Sequence, residues 1–71
     1  MDNKTNQELQ SATFERLIKH LRDRKDVHNI DLMNLSGFCR NCLSTWYKAE
    51  ADTTWVEISD LEAREHVYGI P

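Results

Sequence analysis

Residues 29–51 read NIDLMNLSGFCRNCLSTWYKAEA, and the way they fold decides the architecture of this short chain. Leu32, Leu35, Phe38, Cys39, Cys42, Leu43, Trp46 and Tyr47 mostly recur at steps of three and four, the interval that puts side chains on one helix face. The pattern predicts one helix of about twenty residues, near 30 Å long, with Asp31 as N-cap and Asn29 as the alternative. Gly37 is the discordant residue. Inside a helix it costs about 1 kcal/mol relative to alanine. Either the helix breaks at Ser36-Gly37, or a neighbouring helix packs against the bare backbone there. The second is preferred, because the apolar spacing keeps its phase across the glycine.

On a helical wheel the apolar positions from Phe38 round to Met33 span roughly 220°, whereas a surface helix needs little over 100°. Asn34, Asn41, Ser44, Thr45 and Lys48 fill the remaining arc. Such a helix needs cover on more than one side. The expected source is a second copy of the chain, with Leu35, Phe38, Leu43, Trp46 and Tyr47 at a homodimer interface. The aromatic load of Trp46, Tyr47, Trp55 and Tyr68 suits a surface that is packed on one edge and wet on the other.

Upstream, Leu9, Phe14, Leu17, Ile18 and Leu21 form an apolar stripe opposite Glu15, Arg16, Lys19 and Arg22. Asn6 or Thr13 is the expected cap. Residues 1–8 are polar enough to fray and read as a flexible N-terminus, with residues 9–71 as a single helical domain. Arg22, Arg24 and Lys25, interrupted by Asp23 and Asp26, read as a solvated helix end. Downstream, TTWVEI reads as an extended connection or very short strand. Ser59 and Glu62 then form a capping box, and Gly69 is placed for a left-handed C-cap ahead of Pro71. A third helix is expected over about residues 60–68, with Leu61, the stem of Arg64, Val67 and Tyr68 as its apolar face. The expected fold is all-α: a long central helix flanked by one medium and one short helix, completed by homodimerisation.

The totals narrow the function. A chain of 71 residues buries only about 60% of its unfolded surface, so its core is marginal. Its net charge of −3 supplies no electrostatic footprint for nucleic acid. No apolar run approaches the ~20 residues of a membrane span, and the polar start lacks the apolar core of a signal peptide. The cytoplasm, where thiols stay reduced, is the expected compartment. No phosphate loop, nucleophile elbow or metalloprotease motif occurs. The expectation is a non-enzymatic association or binding module, with no catalytic residue and no cofactor favoured.

Cys39 and Cys42 are the exception to this blandness. On one helix face, at i and i+3, they read first as core residues, since free cysteine is among the most buried residue types. A site for zinc or another transition metal needs further ligands. His20, His28 and His66 are the candidates, and none sits at a metal-binding spacing. A redox pair needs the first cysteine at a helix N-terminus, where its thiolate is stabilised. A continuous helix denies it that position; a break at Ser36 would grant it. Between the cysteines, Arg40 and Asn41 form, with Tyr47, a possible groove for an anionic group.

The run NIDLMNLSGFCRNCLSTWY, together with DLEAREHVYGIP, closely resembles the domain of unknown function 1244, or SMc04008-like, family of short bacterial proteins. The resemblance extends from about Phe14 to Pro71, and its most specific part is the Phe-Cys-Arg-Asn-Cys-Leu block with its trailing Trp-Tyr. It implies a small helical protein assembled from more than one copy, with no established activity. Asn34, Arg40, Asn41 and Tyr47 fall within the matching block, and no role is carried over to them. Members of the family often continue past the Tyr-Gly-Ile-Pro at which this sequence stops. On that comparison a longer tail would help to cover the central helix.

Overall fold

With two glycines and a lone proline at its last position, the sequence offers few places to interrupt a helix. The computed structural model, which describes residues 1–69, uses nearly all of them. Four helices follow in order: α1 Asn3–Asp23, α2 Asn29–Ser36, α3 Arg40–Thr53 and α4 Asp60–Tyr68. No strand occurs among the described residues, so TTWVEI is connection only. Ile70 and Pro71, the last two residues of the expected domain, lie outside the described residues.

α1 starts earlier than its apolar stripe suggests. The Asp2 carboxylate, rather than Asn6 or Thr13, accepts from the Thr5 N–H at 2.7 Å and caps the helix. That bond favours the charged carboxylate and holds Asp2 below its usual range. Only the far half of α1 meets the core, through Phe14, Ile18 and Leu21, whereas Leu9 and Leu17 of the stripe are exposed. The turn that follows is braced by Arg24, whose guanidinium donates to both Asp26 oxygens at 3.0 and 2.9 Å. These bonds bring the exposed Asp26 carboxyl down to about 2.

The long central helix is the expectation that fails. The chain breaks at Gly37, which takes the left-handed conformation (φ 79°, ψ 7°) and returns its N–H to the Met33 carbonyl at 3.0 Å. Ser36 assists: its hydroxyl donates back to the Leu32 carbonyl at 2.7 Å, drawing on an acceptor at the end of α2. The phase that seemed to run across the glycine belongs to two separate helices. Leu32 and Phe38 pack against the core, Leu43 is inside it, and Leu35 points away at 88% exposure. α2 has no buried residue at all. Its N-cap is His28, whose N–H donates to the Asp31 carboxylate at 2.9 Å, so Asp31 acts one turn inside the helix rather than as the cap.

α3 ends in a six-residue closure that normally uses glycine. The Trp55 N–H reaches the Asp52 carbonyl at 3.3 Å and the Val56 N–H reaches Ala51 at 2.9 Å, the two bonds of a Schellman motif. Here the left-handed position is held by Trp55, at φ 61° and 93% exposed. α4 occupies its expected span, with the Ser59 hydroxyl accepting from the Glu62 N–H at 3.0 Å. Gly69 closes it at φ 90°, ψ 164°, a positive-φ extended form rather than the left-handed helical one expected. The buried face of α4 is Ala63 and Val67, one turn apart; Leu61 faces solvent.

The core is correspondingly thin. Ile18 and Leu21 from α1, Leu43 from α3 and Val67 from α4 form its centre, flanked by Phe14, Leu32 and Phe38. α4 packs chiefly on α3 and secondarily on α1.

The two left-handed positions make a matched test. Nothing lies within 4 Å of a Cβ placed on Gly37, so Gly37→Ala costs only the backbone penalty, about 1 kcal/mol. Trp55→Gly has the opposite sign and stabilises the chain by about 0.5–1 kcal/mol through relief of the same penalty. Urea melts at low protein concentration measure both.

Candidate functional site

The break at Gly37 turns the Cys-Arg-Asn-Cys block from the middle of a helix into the start of one. Cys39 becomes the N-cap of α3 in extended conformation (φ −143°, ψ −176°), Arg40 its first helical residue and Cys42 its third. The two sulfurs lie 3.8 Å apart as free thiols. Cys39 is buried; Cys42 is partly accessible, and its sulfur lies 3.9 Å from Met33 Sδ of α2. The sequence's preferred reading of both as core residues therefore fits Cys39 better than Cys42.

The N-cap position changes Cys39 chemically. No amide reaches its sulfur as closely as those that reach Asp2 and Ser59. Even so, the Cys42 N–H faces it and is the largest influence, favouring the thiolate. Burial opposes ionisation, while the Cys42 thiol, the Asn41 N–H and the positive charge of Arg40 add to the effect of the Cys42 amide. The net result is a Cys39 thiol shifted below its ordinary value of 9.0.

Arg40 is buried, at 8% exposure, and among the described residues no carboxylate pairs with it. Its charge is instead spread over three oxygens, of which the Arg24 carbonyl also accepts from the Val27 N–H at 3.1 Å. Nη2 donates to the Leu21 carbonyl at 2.9 Å and the Arg24 carbonyl at 3.0 Å, and Nη1 donates to Asn29 Oδ1 at 3.0 Å. The two carbonyls belong to the C-terminus of α1, whose last four carbonyls have no partner within the helix. One guanidinium thus caps α1, fixes the first residue of α2 and starts α3. The polar chain continues outward: Asn29 Nδ2 donates to Tyr68 Oη at 3.0 Å, and Tyr68 Oη donates to Asn41 Oδ1.

A second arginine repeats the device. Arg22, read from sequence as part of a solvated helix end, is half-buried and donates through Nε to the Val67 carbonyl at 3.2 Å and through Nη2 to the His66 carbonyl. It caps α4 from α1. Sequence reasoning missed the work done by Arg22, Asn29 and Tyr68, because each acts on a backbone carbonyl or polar side chain 27 to 45 positions away.

The remaining candidates do not converge. Arg40 lines a cleft of about 380 Å³ with Leu21, Arg22, Lys25, His28 and Tyr68, whereas Asn41 lines a separate one with Ser44, Thr45 and Arg64. Tyr47 belongs to neither and stacks on His66, with centroids 4.3 Å apart. His20 is exposed on α1, and His28 caps α2. Among the described residues, no three His, Cys, Asp or Glu side chains come together as a metal site requires.

Residues 27–71, which include both cysteines, match the model of a family described as Protein of unknown function (DUF1244). No curated protein matches the chain.

Two measurements test this geometry. Arg40→Leu takes the side-chain donor from the Leu21 carbonyl and from Asn29 Oδ1 and costs about 2–4 kcal/mol, and Arg40→Lys recovers only part, because the ammonium is a single point donor and cannot span the separate positions that Nη1 and Nη2 serve. Thiolate absorbance should rise below pH 9.0 in the folded chain and lose that early component in Cys39→Ser. The sign for stability follows: the Cys39 contribution is full above 9.0 and is lost as pH falls through the lowered folded value.

Proposed function

The chain belongs to the DUF1244 family, and from that premise we propose that it works as a non-enzymatic association module whose functional unit is a homodimer. One observation carries the reading. The chain exposes 5787 Å², whereas a compact monomer of 8.4 kDa exposes about 4600 Å². Its radius of gyration of 13.2 Å likewise exceeds the roughly 11 Å expected for this length. Part of that excess, about 1200 Å² in all, belongs to residues 1–13, which are exposed throughout and mostly polar; the part that calls for a partner lies on α2 and α3.

The excess surface is apolar where it matters. Met33 touches Cys42, Cys42 and Trp46 stand one turn apart on α3, and Phe38 lies 6.1 Å from Trp46 by ring centroids. These four make a continuous patch across α2 and α3. Leu35 and Ile30, at 88% and 68% exposed, extend the apolar surface of α2. Of the five residues expected at an interface, Leu35, Phe38 and Trp46 remain available to a partner. Tyr47 has one ring face stacked on His66 and is otherwise exposed. Leu43 is withdrawn into the chain's own core and drops out. No helix of the described residues is long and apolar enough to cross a membrane. A self-complementary patch closes as a two-fold dimer.

Sedimentation at micromolar concentration should give twice the chain mass of 8.4 kDa. Leu35→Asp with Trp46→Ala should weaken association by at least tenfold while leaving the monomer folded. Leu43→Ala should instead unfold the chain, at a cost of about 2–5 kcal/mol. A monomer that melts cooperatively across that concentration range would overturn the reading.

A further inference from the structure

Beyond association, we infer that Cys39 and Cys42 form a reversible dithiol–disulfide site that exchanges with low-molecular-weight disulfides. The inference stands on four features of the single chain; because Cys42 lies in the patch proposed as the dimer interface, it concerns the dissociated chain, and exchange should slow as association covers Cys42. The sulfurs are 3.8 Å apart, so small side-chain rotations bring them to bonding distance. Cys39 lies at the N-cap, outside the helical backbone, which removes the strain that an i, i+3 bridge suffers inside a helix. α3 is a full helix of 14 residues with its N-terminal amides and Arg40 beside the first sulfur, surroundings that favour a thiolate. Finally, the two thiols differ in access: Cys42 is partly open and Cys39 is covered.

That difference sets the order of events. The Cys42 thiol loses its proton to solvent, and its thiolate attacks one sulfur of the external disulfide. A Cys42–S bond forms, the external S–S bond breaks, and one small thiolate leaves. The Cys39 thiolate, its proton also gone to solvent, then attacks Cys42 Sγ. The internal S–S bond forms, the mixed disulfide breaks, and the second small thiolate leaves. Two electrons pass from the chain to the external disulfide, which is reduced to two thiols. In reverse, a small thiolate enters at Cys42 and Cys39 departs. A sulfur already stabilised as its anion is the better leaving group, so the bridge is readily reduced. The helix end and Arg40 thereby favour the reduced form and give the pair an oxidising potential.

The test uses the intact chain with oxidised and reduced glutathione. Under oxidised glutathione alone, the folded chain should lose both titratable thiols and two mass units, run as a single chain on a non-reducing gel and keep its helical signal. Reduced glutathione should restore both thiols. Cys39→Ser, which keeps a good helix cap, should trap one glutathione on Cys42. Cys42→Ser should resist capture until it is unfolded in urea. The site is disproved if the folded chain keeps both thiols under oxidised glutathione while the urea-unfolded chain closes the bridge, or if closure abolishes the helical signal. Capture of Cys42→Ser as fast as Cys39→Ser overturns the assigned order.

Discussion

The fold hangs on a buried positive charge. Arg40 has almost no contact with water, and desolvating a guanidinium is expensive unless its donors find acceptors. Three of its five N–H groups donate to the Leu21 and Arg24 carbonyls and Asn29 Oδ1, where α1 ends and α2 begins. Each side of this arrangement solves the other's problem. The helix end supplies partial negative charge for the arginine, and the arginine supplies the donors that the helix end lacks. Among the described residues, no buried side-chain nitrogen or oxygen is left without a partner.

This knot explains why α2 persists. Eight residues with none buried would not hold a helix by propensity alone. α2 is secured at its first residue, where Asn29 bonds both Arg40 and Tyr68, and at its last, where Gly37 turns the backbone and Phe38 drops onto the core. Between these anchors Leu32 packs against the core, and Ile30, Met33 and Leu35 are left to face outward. A thin core and a well-fastened but open outer helix are two consequences of one economy of size. The same fastening places Cys39 at the head of α3. Arg40 must occupy the first helical position to reach back to α1, which leaves the preceding residue as the cap.

Much of this was legible residue by residue. Ser59, Glu62 and Gly69 marked α4 because capping is a local transaction between neighbours, completed within one turn. The stripe Phe14, Ile18 and Leu21 was legible for the same reason, since a helix face needs only its own periodicity. Leu61, expected on the apolar face of the last helix, is exposed, because hydrophobicity says that a side chain prefers cover and not whether cover exists nearby. The continuous central helix failed at a subtler point. Ser36-Gly37 is a stop signal and the apolar spacing is a continuation signal; they conflicted, and the spacing was the weaker because a three-or-four step is easily preserved across a short break.

The sequence by itself determined that the chain is helical, that its last helix spans residues 60–68, and that two thiols sit three positions apart, because each of these is encoded over a few consecutive residues. Tertiary structure alone decided that Arg40 is buried at the end of α1 and that Arg22 closes α4. In every one of those cases the deciding partner is a backbone carbonyl or a neighbouring helix distant along the chain. A carbonyl is the same in every residue, so no side-chain pattern announces which one an arginine will find.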